Sequence, residues 1–289
     1  QDRFRGDPEP TLNRQFDVAA DMTANVSVTL RMTPSASDRV LAELFDERGQ
    51  ASGHLDGTPT ARGHAAVDGD PATAWITPFD DVVGQLVTNL GTGSSSSLRV
   101  TQLVGDHSPV TQLRITDGGG GFNVDVVGPD VTIELPRKVD VAQASVTILD
   151  IDAKQTIDRR FGEPVVLPAA LTSIDFLGST IDRSSTFAAN AECRKDLLEL
   201  DGEPLGISVA FDVDAALSGD HLTVEICDGP LDLDQGTHQL STTAGRTAGI
   251  DIDRVVLQPA APKPMTSSAI DPAQTVLVES GRHDRIVDV

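Results

Sequence analysis

The feature that most restricts the fold of this sequence is a succession of short segments in which apolar and polar residues alternate. A period of two residues places the apolar side chains on one face of a strand. Gly, Pro, Ser and Asp separate the segments, as they do in turns. Between residues 50 and 178 the candidate strands are 85–90, 98–104, 112–116, 123–127, 131–135, 145–149, 165–167 and 173–177. Because no strand–helix–strand rhythm accompanies them, these strands predict a β-sandwich or jelly roll.

A second group of alternating segments follows, at 207–213, 222–226 and 250–257. This late block has only about 80 residues, which is short for a sandwich of about 100 residues. Near the start of the chain, 26–32 alternates in the same way and has no obvious place in the first sandwich. We therefore expect the early strands to fold onto the late block, so that the first sandwich is inserted between them.

One short helix is predicted after the early strands. Ser37 is a suitable N-cap, and Gly49 tolerates the left-handed conformation that often ends a helix. The sequence thus predicts an all-β fold with two β-sandwich, jelly-roll modules and a short connecting helix. The expected divisions are 1–49 for the early strands and helix, 50–178 for the first sandwich, 179–258 for the second, and 259–289 for a Pro-rich linker and the start of a following module.

Charge and hydropathy exclude several classes of partner. The 289 residues contain 44 acidic and 22 basic side chains, a formal net charge of −22. A field of this sign repels phosphate backbones and anionic lipids, so we expect neither nucleic acid nor a membrane surface as a partner. The acidity is consistent with cation binding or simply with a well-solvated surface. No run of 18 apolar residues is present, so nothing in the sequence predicts a membrane span.

The chain has two cysteines, Cys193 and Cys227, in the two flanks of the late block. A disulfide between them would indicate an oxidising, extracytoplasmic compartment. Two free buried thiols are the alternative. Without a CxxC pair or clustered histidines, neither cysteine predicts a metal or redox site.

The most specific motif is Ala-Val-Asp-Gly-Asp-Pro-Ala-Thr-Ala-Trp at 66–75. Asp68-Gly69 predicts a tight turn that Pro71 stiffens. The turn leads to Trp75, the only tryptophan in the chain, which we expect to pack in the core of the sandwich.

This motif resembles the opening of discoidin-like domains, also called F5/8 type C or galactose-binding-like modules. The resemblance extends to the segments 84–91, reading Gly-Gln-Leu-Val-Thr-Asn-Leu-Gly, and 171–178, reading Leu-Thr-Ser-Ile-Asp-Phe-Leu-Gly. It covers roughly 130 residues and implies a galactose-binding-like carbohydrate-binding fold for the first sandwich.

In many sugar-binding members of this family the same turn holds a structural calcium ion. Carried over to this sequence, the implied ligands are Ala65 (through its carbonyl), Asp68, Asp70 and Thr73. Oxygen ligands of this kind suit a hard cation. The closing strand usually adds a glutamate; here Ser173 stands at that position, and Asp175 is the nearest acid. The alternative is a metal-free turn in which Asp68 caps backbone amides.

The order of segments along the whole chain is similar to the soluble extracytoplasmic part of the actinobacterial α-(1→3)-arabinofuranosyltransferases. The segments that carry this resemblance are 38–45 (DRVLAELF), 227–230 (CDGP), 250–257 (IDIDRVVL) and 278–287 (VESGRHDRIV). The resemblance implies an extracytoplasmic, non-catalytic region of a membrane-embedded transferase that acts on cell-wall arabinan. It implies a cell-wall polysaccharide, arabinan or arabinogalactan, as the partner.

Catalytic motifs are absent from the sequence. Neither GxSxG nor HExxH occurs, and the Asp-x-Asp pairs match solvated strand faces better than a metal–nucleotide site. His64, beside the turn, and Asp106 and His107, in a loop, are the candidate contacts to sugar hydroxyls. The alternative for each is a surface-loop residue without a ligand. The sequence favours a carbohydrate-binding region over a purely structural segment, and both over an autonomous glycoside hydrolase.

Overall fold

The computed structural model describes residues 10–45, 47–159, 161–183, 193–209 and 213–260. The predicted linker and start of a following module, 259–289, lie outside these residues, except for Pro259 and Ala260. The strands are β1 (Asn13–Val18), β2 (Met22–Met32), β3 (Gln50–Ala51), β4 (Trp75–Ile76), β5 (Leu86–Thr88), β6 (Ser94–Leu103), β7 (Val110–Asp117), β8 (Gly120–Asp125), β9 (Asp130–Asp140), β10 (Ser145–Ile151), β11 (Gln155–Ile157), β12 (Pro164–Val166), β13 (Ala170–Phe176), β14 (Arg194–Leu200), β15 (Glu203–Ile207), β16 (Leu222–Glu225), β17 (Leu231–Leu233), β18 (Gly236–Thr242) and β19 (Ile250–Pro259).

Helical structure is confined to short pieces. The α-helices are α1 (Asp38–Phe45), α2 (Val213–Leu217) and α3 (Gly245–Ala248), and single 3₁₀ turns cover Pro59–Ala61, Gly63–Ala66 and Val141–Gln143. The prediction of an all-β fold is therefore confirmed.

The early and late strands form one sandwich, which we call the host sandwich (10–45 and 193–260). One of its sheets has the order β1-β18-β14-β15; in the other, β2 pairs with β16 and β17 on one side and with β19 on the other. Ala24, Val26, Val28 and Leu30 of β2 alternate with more exposed residues and are buried in its core. The early strands thus pair with the late block, across more than 200 residues of sequence.

Residues 47–183 form a second sandwich, which we call the inserted sandwich. Its two main sheets have the orders β3-β5-β10-β7-β8 and β4-β13-β6-β9, and all the pairings are antiparallel. Alternating apolar residues from both sheets fill its core, among them Leu98, Leu113, Ile148 and Leu171, each fully buried. The hairpin β11–β12 pairs only within itself among the described strands.

Helix α1 begins where the sequence predicts. The Ser37 hydroxyl accepts a hydrogen bond from the Val40 N–H at 3.4 Å, and Gly49, after the helix, has φ +74°. Leu41 and Phe45 of α1 are fully buried in the core of the host sandwich. The helix is therefore an integral part of that core as well as a connector.

One local prediction is wrong. The alternation at 207–213 predicts one continuous strand, but β15 ends at Ile207 and α2 begins at Val213, while 210–212 lie outside the described residues. The serine run Ser94–Ser97, which by its composition resembles a flexible loop tip, is the start of β6. Ser95 is buried there, and its hydroxyl lies within hydrogen-bonding distance of the carbonyls of Ser97 and Leu177. The hydrogen-bonding capacity of this buried polar side chain is therefore met inside the fold.

Candidate functional site

The turn at 65–74 brings several oxygen atoms around the Thr73 hydroxyl. Thr73 Oγ1 lies 2.7 Å from Asp68 Oδ2, 3.0 Å from the Asp70 carbonyl oxygen and 3.4 Å from the Ala65 carbonyl oxygen. The two carboxylates also accept backbone hydrogen bonds, Asp68 from Asp70 N at 2.8 Å and Asp70 from Ala72 N at 2.9 Å. The turn is therefore well organised by its own polar groups.

Four of the five predicted calcium ligands, Ala65, Asp68, Asp70 and Thr73, lie together in this turn. Their carbonyl, carboxylate and hydroxyl oxygens are of the kind that a hard cation prefers. Among the described residues, however, no group of three His, Cys, Asp or Glu side chains is arranged to hold a metal. Such a site would depend on carbonyl and hydroxyl oxygens and on water.

Asp175, the fifth predicted ligand, forms an ion pair with Arg183. Its carboxylate lies 3.7 Å from the Arg183 guanidinium. Arg183 Nε donates to the Val67 carbonyl at 3.2 Å, and the Arg183 side chain packs against Gly69 of the turn. A cationic side chain thus links Asp175 to the turn, where a metal–carboxylate bond was expected.

Trp75 follows the turn and has no exposed surface. Its indole Nε1 donates to the Gly53 carbonyl at 2.9 Å, so its one polar atom is satisfied within the core. The motif at 66–75 therefore anchors the inserted sandwich, as expected from the sequence.

His64 is buried, so the structure does not place it on a surface loop, where it was predicted to contact sugar. Only 4% of the residue is exposed, and its Nδ1 lies 2.9 Å from the Arg48 carbonyl oxygen. The residue is in the 3₁₀ turn Gly63–Ala66, which packs against the chain that connects α1 to the inserted sandwich. Burial by this tertiary contact is not visible in the local sequence.

His64 belongs to a larger buried region, which we call the junction (34–66), where the two sandwiches meet. Asp38 of α1 accepts hydrogen bonds from the backbone of the inserted sandwich, at 2.6 Å from Ala51 N and 3.0 Å from Gly63 N. The His54 imidazole lies 3.2 Å from the same carboxylate. All three connections are buried, so α1 is tied directly to the inserted sandwich.

An ion pair reinforces the junction. Arg62 donates from Nε and Nη2 to the two carboxylate oxygens of Glu47, and both side chains are buried. The Arg62 guanidinium also lies 5.7 Å from the ring centroid of Phe45 in α1. Arg62 therefore binds Glu47 within the inserted sandwich through charge and contacts Phe45 of the host sandwich through an aromatic face.

Four loops lie together at one end of the inserted sandwich, which we call the loop end (77–85, 104–109, 126–129 and 152–169). Strand pairing places them together, because the end of β10 and the end of β8 both pair with the start of β7. In the other sheet, the start of β13 pairs with the ends of β4 and β6, and the start of β9 pairs with β6.

The loop end collects the exposed apolar side chains. Of the eight large apolar side chains that are exposed among the described residues, seven lie on or beside these loops: Phe79, Val83, Leu103, Val104, Val127, Ile157 and Phe161. Phe161, at the tip of the β11–β12 hairpin, is 76% exposed, and Phe79 is 47% exposed. Such a concentration is typical of a binding surface and not of scattered surface residues.

Hydrogen bonds between the loops hold this surface together. Asp80 accepts from Val166 N at 2.6 Å, which ties the first loop to β12. The Ser108 hydroxyl donates to the Leu167 carbonyl at 2.7 Å. Lys154 Nζ donates to the carbonyls of Val104 and Gly105 at 3.0 and 2.9 Å. The loops are thus ordered relative to one another before any ligand arrives.

Asp106 and His107, predicted as sugar contacts, lie in the loop that Ser108 and Lys154 fix. Asp106 is exposed, and His107 is half-buried. Within the described part of the chain, the buried Nδ1 of His107 has no hydrogen-bond partner. Since buried polar atoms are nearly always satisfied, an ordered water molecule is the simplest partner for this nitrogen.

The aromatic residues of the loop end were missed at the level of sequence. Phe79 and Phe161 each stand alone in a polar stretch, Thr-Pro-Phe-Asp-Asp and Arg-Arg-Phe-Gly-Glu. A single aromatic residue in a polar stretch is the signal that could have identified them, because such a residue belongs to no alternating pattern of core residues.

The end of the inserted sandwich opposite the loop end carries a buried carboxylate. Asp117 accepts hydrogen bonds from Arg137 Nη1 at 2.8 Å, from Gly119 N at 2.9 Å and from Asp140 N at 3.1 Å. The Arg137 guanidinium, more than any other neighbour, holds the pKa of Asp117 far below its usual value. This group fixes the β7–β8 turn to β9.

The Asp251/Asp253 pair of β19 has a structural role, as the partner of an arginine on the neighbouring strand. Arg31 of β2 lies between the two carboxylates, 3.8 Å from Asp251 and 3.3 Å from Asp253. Acidic side chains at i and i+2 on a strand share one face, which allows one arginine to meet both.

Cys193 and Cys227 are joined by a disulfide, with Cα atoms 6.1 Å apart. The bridge connects the start of β14 to the chain after β16, within the host sandwich. No described helix has the length and apolar character needed to cross a membrane.

Comparison with known proteins identifies fold relatives but no sequence family. No family model matches the chain, and no curated protein matches it. Two cryo-EM structures of the arabinofuranosyltransferase AftD from Mycobacteria match 88% of this chain with a TM-score of 0.60, at 21% identity for one and 20% for the R1389S mutant. The family 32 carbohydrate-binding module of C. perfringens NanJ, in complex with galactose, matches 50% of this chain and 96% of its own at 17% identity and a TM-score of 0.30.

The chain spans about a fifth of the length of the AftD structures that it matches, 20% and 21%. At these identities the similarity concerns the fold. The arrangement of strands in this chain is therefore similar to that of a segment of AftD.

Proposed function

We propose that this chain is a non-catalytic, carbohydrate-binding region of a cell-wall arabinofuranosyltransferase, which holds or orients an arabinan acceptor at the loop end. The observation that carries the proposal is the collection of exposed apolar side chains on four neighbouring loops, three of which are tied to one another by hydrogen bonds. The structural similarity to a segment of AftD supports the choice of parent protein.

The chemistry of the loop end suits a sugar. Sugars present C–H faces that pack on aromatic rings, and Phe79 and Phe161 offer such rings to solvent. Sugar hydroxyls need donors and acceptors close by, and Asp106 and His107 supply them on the neighbouring loop. Small-molecule sites commonly combine apolar surface with a few polar groups in this way.

The proposed location follows from the proposed parent. A region of a membrane-embedded transferase that meets cell-wall polysaccharide would lie on the extracytoplasmic side. The Cys193–Cys227 disulfide is consistent with that compartment, because disulfides persist where the surroundings are oxidising.

Titration of the full chain with arabinan oligosaccharides, followed by calorimetry or NMR, tests the proposal. We expect Phe161→Ala to weaken binding about tenfold, as for a residue central to an interface. Leu177→Ala is the matched control, since Leu177 is exposed and lies away from the loop end. Binding that Phe161→Ala leaves unchanged would contradict the loop end as the site.

A structural segment is the second candidate function, and the junction favours it. Buried polar contacts from α1 to the inserted sandwich would let the chain position other domains without a ligand. Absence of binding to any arabinan oligosaccharide would support this function over the first. Release of reducing sugar from arabinan would instead indicate a hydrolase.

We also propose that the turn at 65–74 binds calcium as a structural ion through Ala65, Asp68, Asp70 and Thr73. The ion would stiffen the turn that leads to Trp75 and would have no catalytic role. EDTA-stripped protein should release or absorb heat on titration with Ca²⁺ and should become more heat-stable, and Asp68→Asn should abolish both effects. Asp228→Asn, at an exposed carboxylate outside the turn, is the control. No heat with Ca²⁺ would rule the ion out.

A further inference from the structure

The sheet of the host sandwich that contains β2 has a gap beside Asn25 and Val26, which we call the notch. On one side of β2, β16 pairs with Ser27–Leu30 and β17 pairs with Met22–Ala24. Neither strand reaches Asn25 and Val26, although β19 pairs with both of them on the other side. The missing strand segment leaves a cavity of about 320 Å³.

The chain that would close the notch is drawn towards the other sheet. Ile226, directly after β16, forms a bridge with Ile207 of β15. The next residue, Cys227, donates its N–H to the Gly206 carbonyl at 2.8 Å and is bonded to Cys193. The disulfide and these backbone contacts therefore keep 226–230 away from β2.

The polar side chains that line the notch share one face of the sheet. Asn25 and Ser27 are two residues apart on β2, and cross-strand pairing places Gln258 beside Asn25 and Glu225 beside Ser27. All four contribute to the lining, with Ile226, Gly229 and Pro230. In the described part of the chain, no hydrogen bond engages any of these four side chains.

We propose that this notch is a second ligand site, one that binds a neutral, polyhydroxylated molecule of about the size of one sugar unit. Two amides, a hydroxyl and a carboxylate supply the mixture of donors and acceptors that hydroxyl groups need. Among the described residues no cationic side chain lines the notch, so its lining does not favour phosphate or a carboxylate. Its volume is at the lower end of the range of small-molecule sites, about 300–1,000 Å³.

A larger cavity of about 590 Å³ in the same sandwich is a weaker candidate. It lies between α1, the start of β14 and α3, and charged residues form much of its lining. Glu43 is paired with Arg39, and Arg194 is paired with Asp196 through two hydrogen bonds of 2.6 Å. Glu43, Arg194 and Asp196 are thus already paired, whereas among the described residues none of the four polar side chains of the notch has a hydrogen-bond partner.

Titration of the full ¹⁵N-labelled chain with methyl galactopyranoside and with methyl arabinofuranoside tests the inference. We expect amide shifts at Asn25, Ser27 and Gly229, and we expect Asn25→Ala to weaken the binding about three- to tenfold, the effect of one hydrogen bond. Asn123→Ala is the matched control, because Asn123 is an exposed strand asparagine in the other sandwich. Galacturonic acid should bind more weakly than either neutral sugar, owing to Glu225.

The proposal for the notch and the proposal for the loop end can be tested separately. Shifts at the notch that persist in Phe161→Ala and disappear in Asn25→Ala support the second site, whether or not the loop end binds sugar. The inference is overturned if no notch amide shifts up to the solubility limit of both sugars. It is also overturned if Asn25→Ala and Asn123→Ala bind equally well.

Discussion

At the junction, the charged groups of Asp38, Glu47 and Arg62 are buried and hydrogen-bonded, whereas at the loop end the rings of Phe79 and Phe161 are exposed to solvent. The loop end belongs to the inserted sandwich, and the junction connects that sandwich to the host sandwich. Each departs from the usual distribution of side chains, with polar groups inside at one place and apolar groups outside at the other. The comparison suggests a division of labour, in which the junction contributes to stability and orientation and the loop end to binding.

The strongest test of this division is to remove a charge from the junction. Arg62→Met leaves Glu47 without its guanidinium partner, and we expect a loss of about 3–5 kcal/mol in the free energy of unfolding, as for other broken buried pairs. Urea unfolding of the full chain measures it. The control is Arg99→Met, which removes a half-exposed pair with Asp130 and should cost less than about 1 kcal/mol. Equal losses in the two variants would break the comparison.

The next largest effect is expected in the host sandwich. Replacing both cysteines, Cys193→Ser with Cys227→Ser, removes a bridge between residues 34 apart in sequence, and loop entropy predicts a loss of about 4 kcal/mol. Chemical denaturation with and without dithiothreitol measures it, and the reduced natural chain should behave like the double variant. If reduction leaves the unfolding curve of the natural chain unchanged, the bridge does not stabilise the host sandwich.

A smaller, pH-dependent effect is expected at Asp117, at the end of the inserted sandwich opposite the loop end. Arg137 lowers the pKa of Asp117 in the folded chain below that of the unfolded chain, so its contribution is present above the unfolded value, about 3.9. The natural chain should therefore be more stable than Asp117→Asn at neutral pH, and the difference should shrink as the pH falls below about 4. Thermal unfolding from pH 7 to pH 3 measures this difference. A difference that stays constant down to pH 3 would contradict it.

The smallest effect on stability is expected at the loop end itself. Phe161→Ala should change the free energy of unfolding by no more than about 0.5 kcal/mol, since the ring is already exposed. Phe176→Ala, at a buried phenylalanine of β13, should cost about 3–5 kcal/mol. A large loss in Phe161→Ala would show that the ring packs in the fold, and it would weaken the argument for a binding surface.

Much of the fold follows from sequence because the strands have one buried face each. The alternation of Val26, Val28, Leu30 and Met32 identifies β2 without any tertiary information. The motif at 66–75 identifies a buried Trp75 in the same way. The alternation at 207–213 misleads because Val213, Ala216 and Leu217 also have the i, i+3, i+4 spacing of a helix, and α2 is the structure that forms.

The candidate site was harder to predict because exposure depends on distant parts of the chain. His64 lies beside a polar turn in sequence, but packing against 48–51 buries it. Asp175 lies two residues from the expected ligand position, but Arg183 engages its carboxylate. Conversely, Phe79 and Phe161 lie at the same end of the sandwich only in the folded chain, where the loops of two sheets come together.

The insertion of one sandwich into the other also sets the order in which the chain can fold. Strand β2 pairs with strands more than 190 residues later, so its sheet cannot form until nearly the whole described chain has been synthesised. All the partners of the inserted sandwich, by contrast, lie within 47–183. The middle of the chain can therefore fold first during synthesis, while the apolar face of β2 is still unpaired. That interval is when this protein would be most exposed to misfolding.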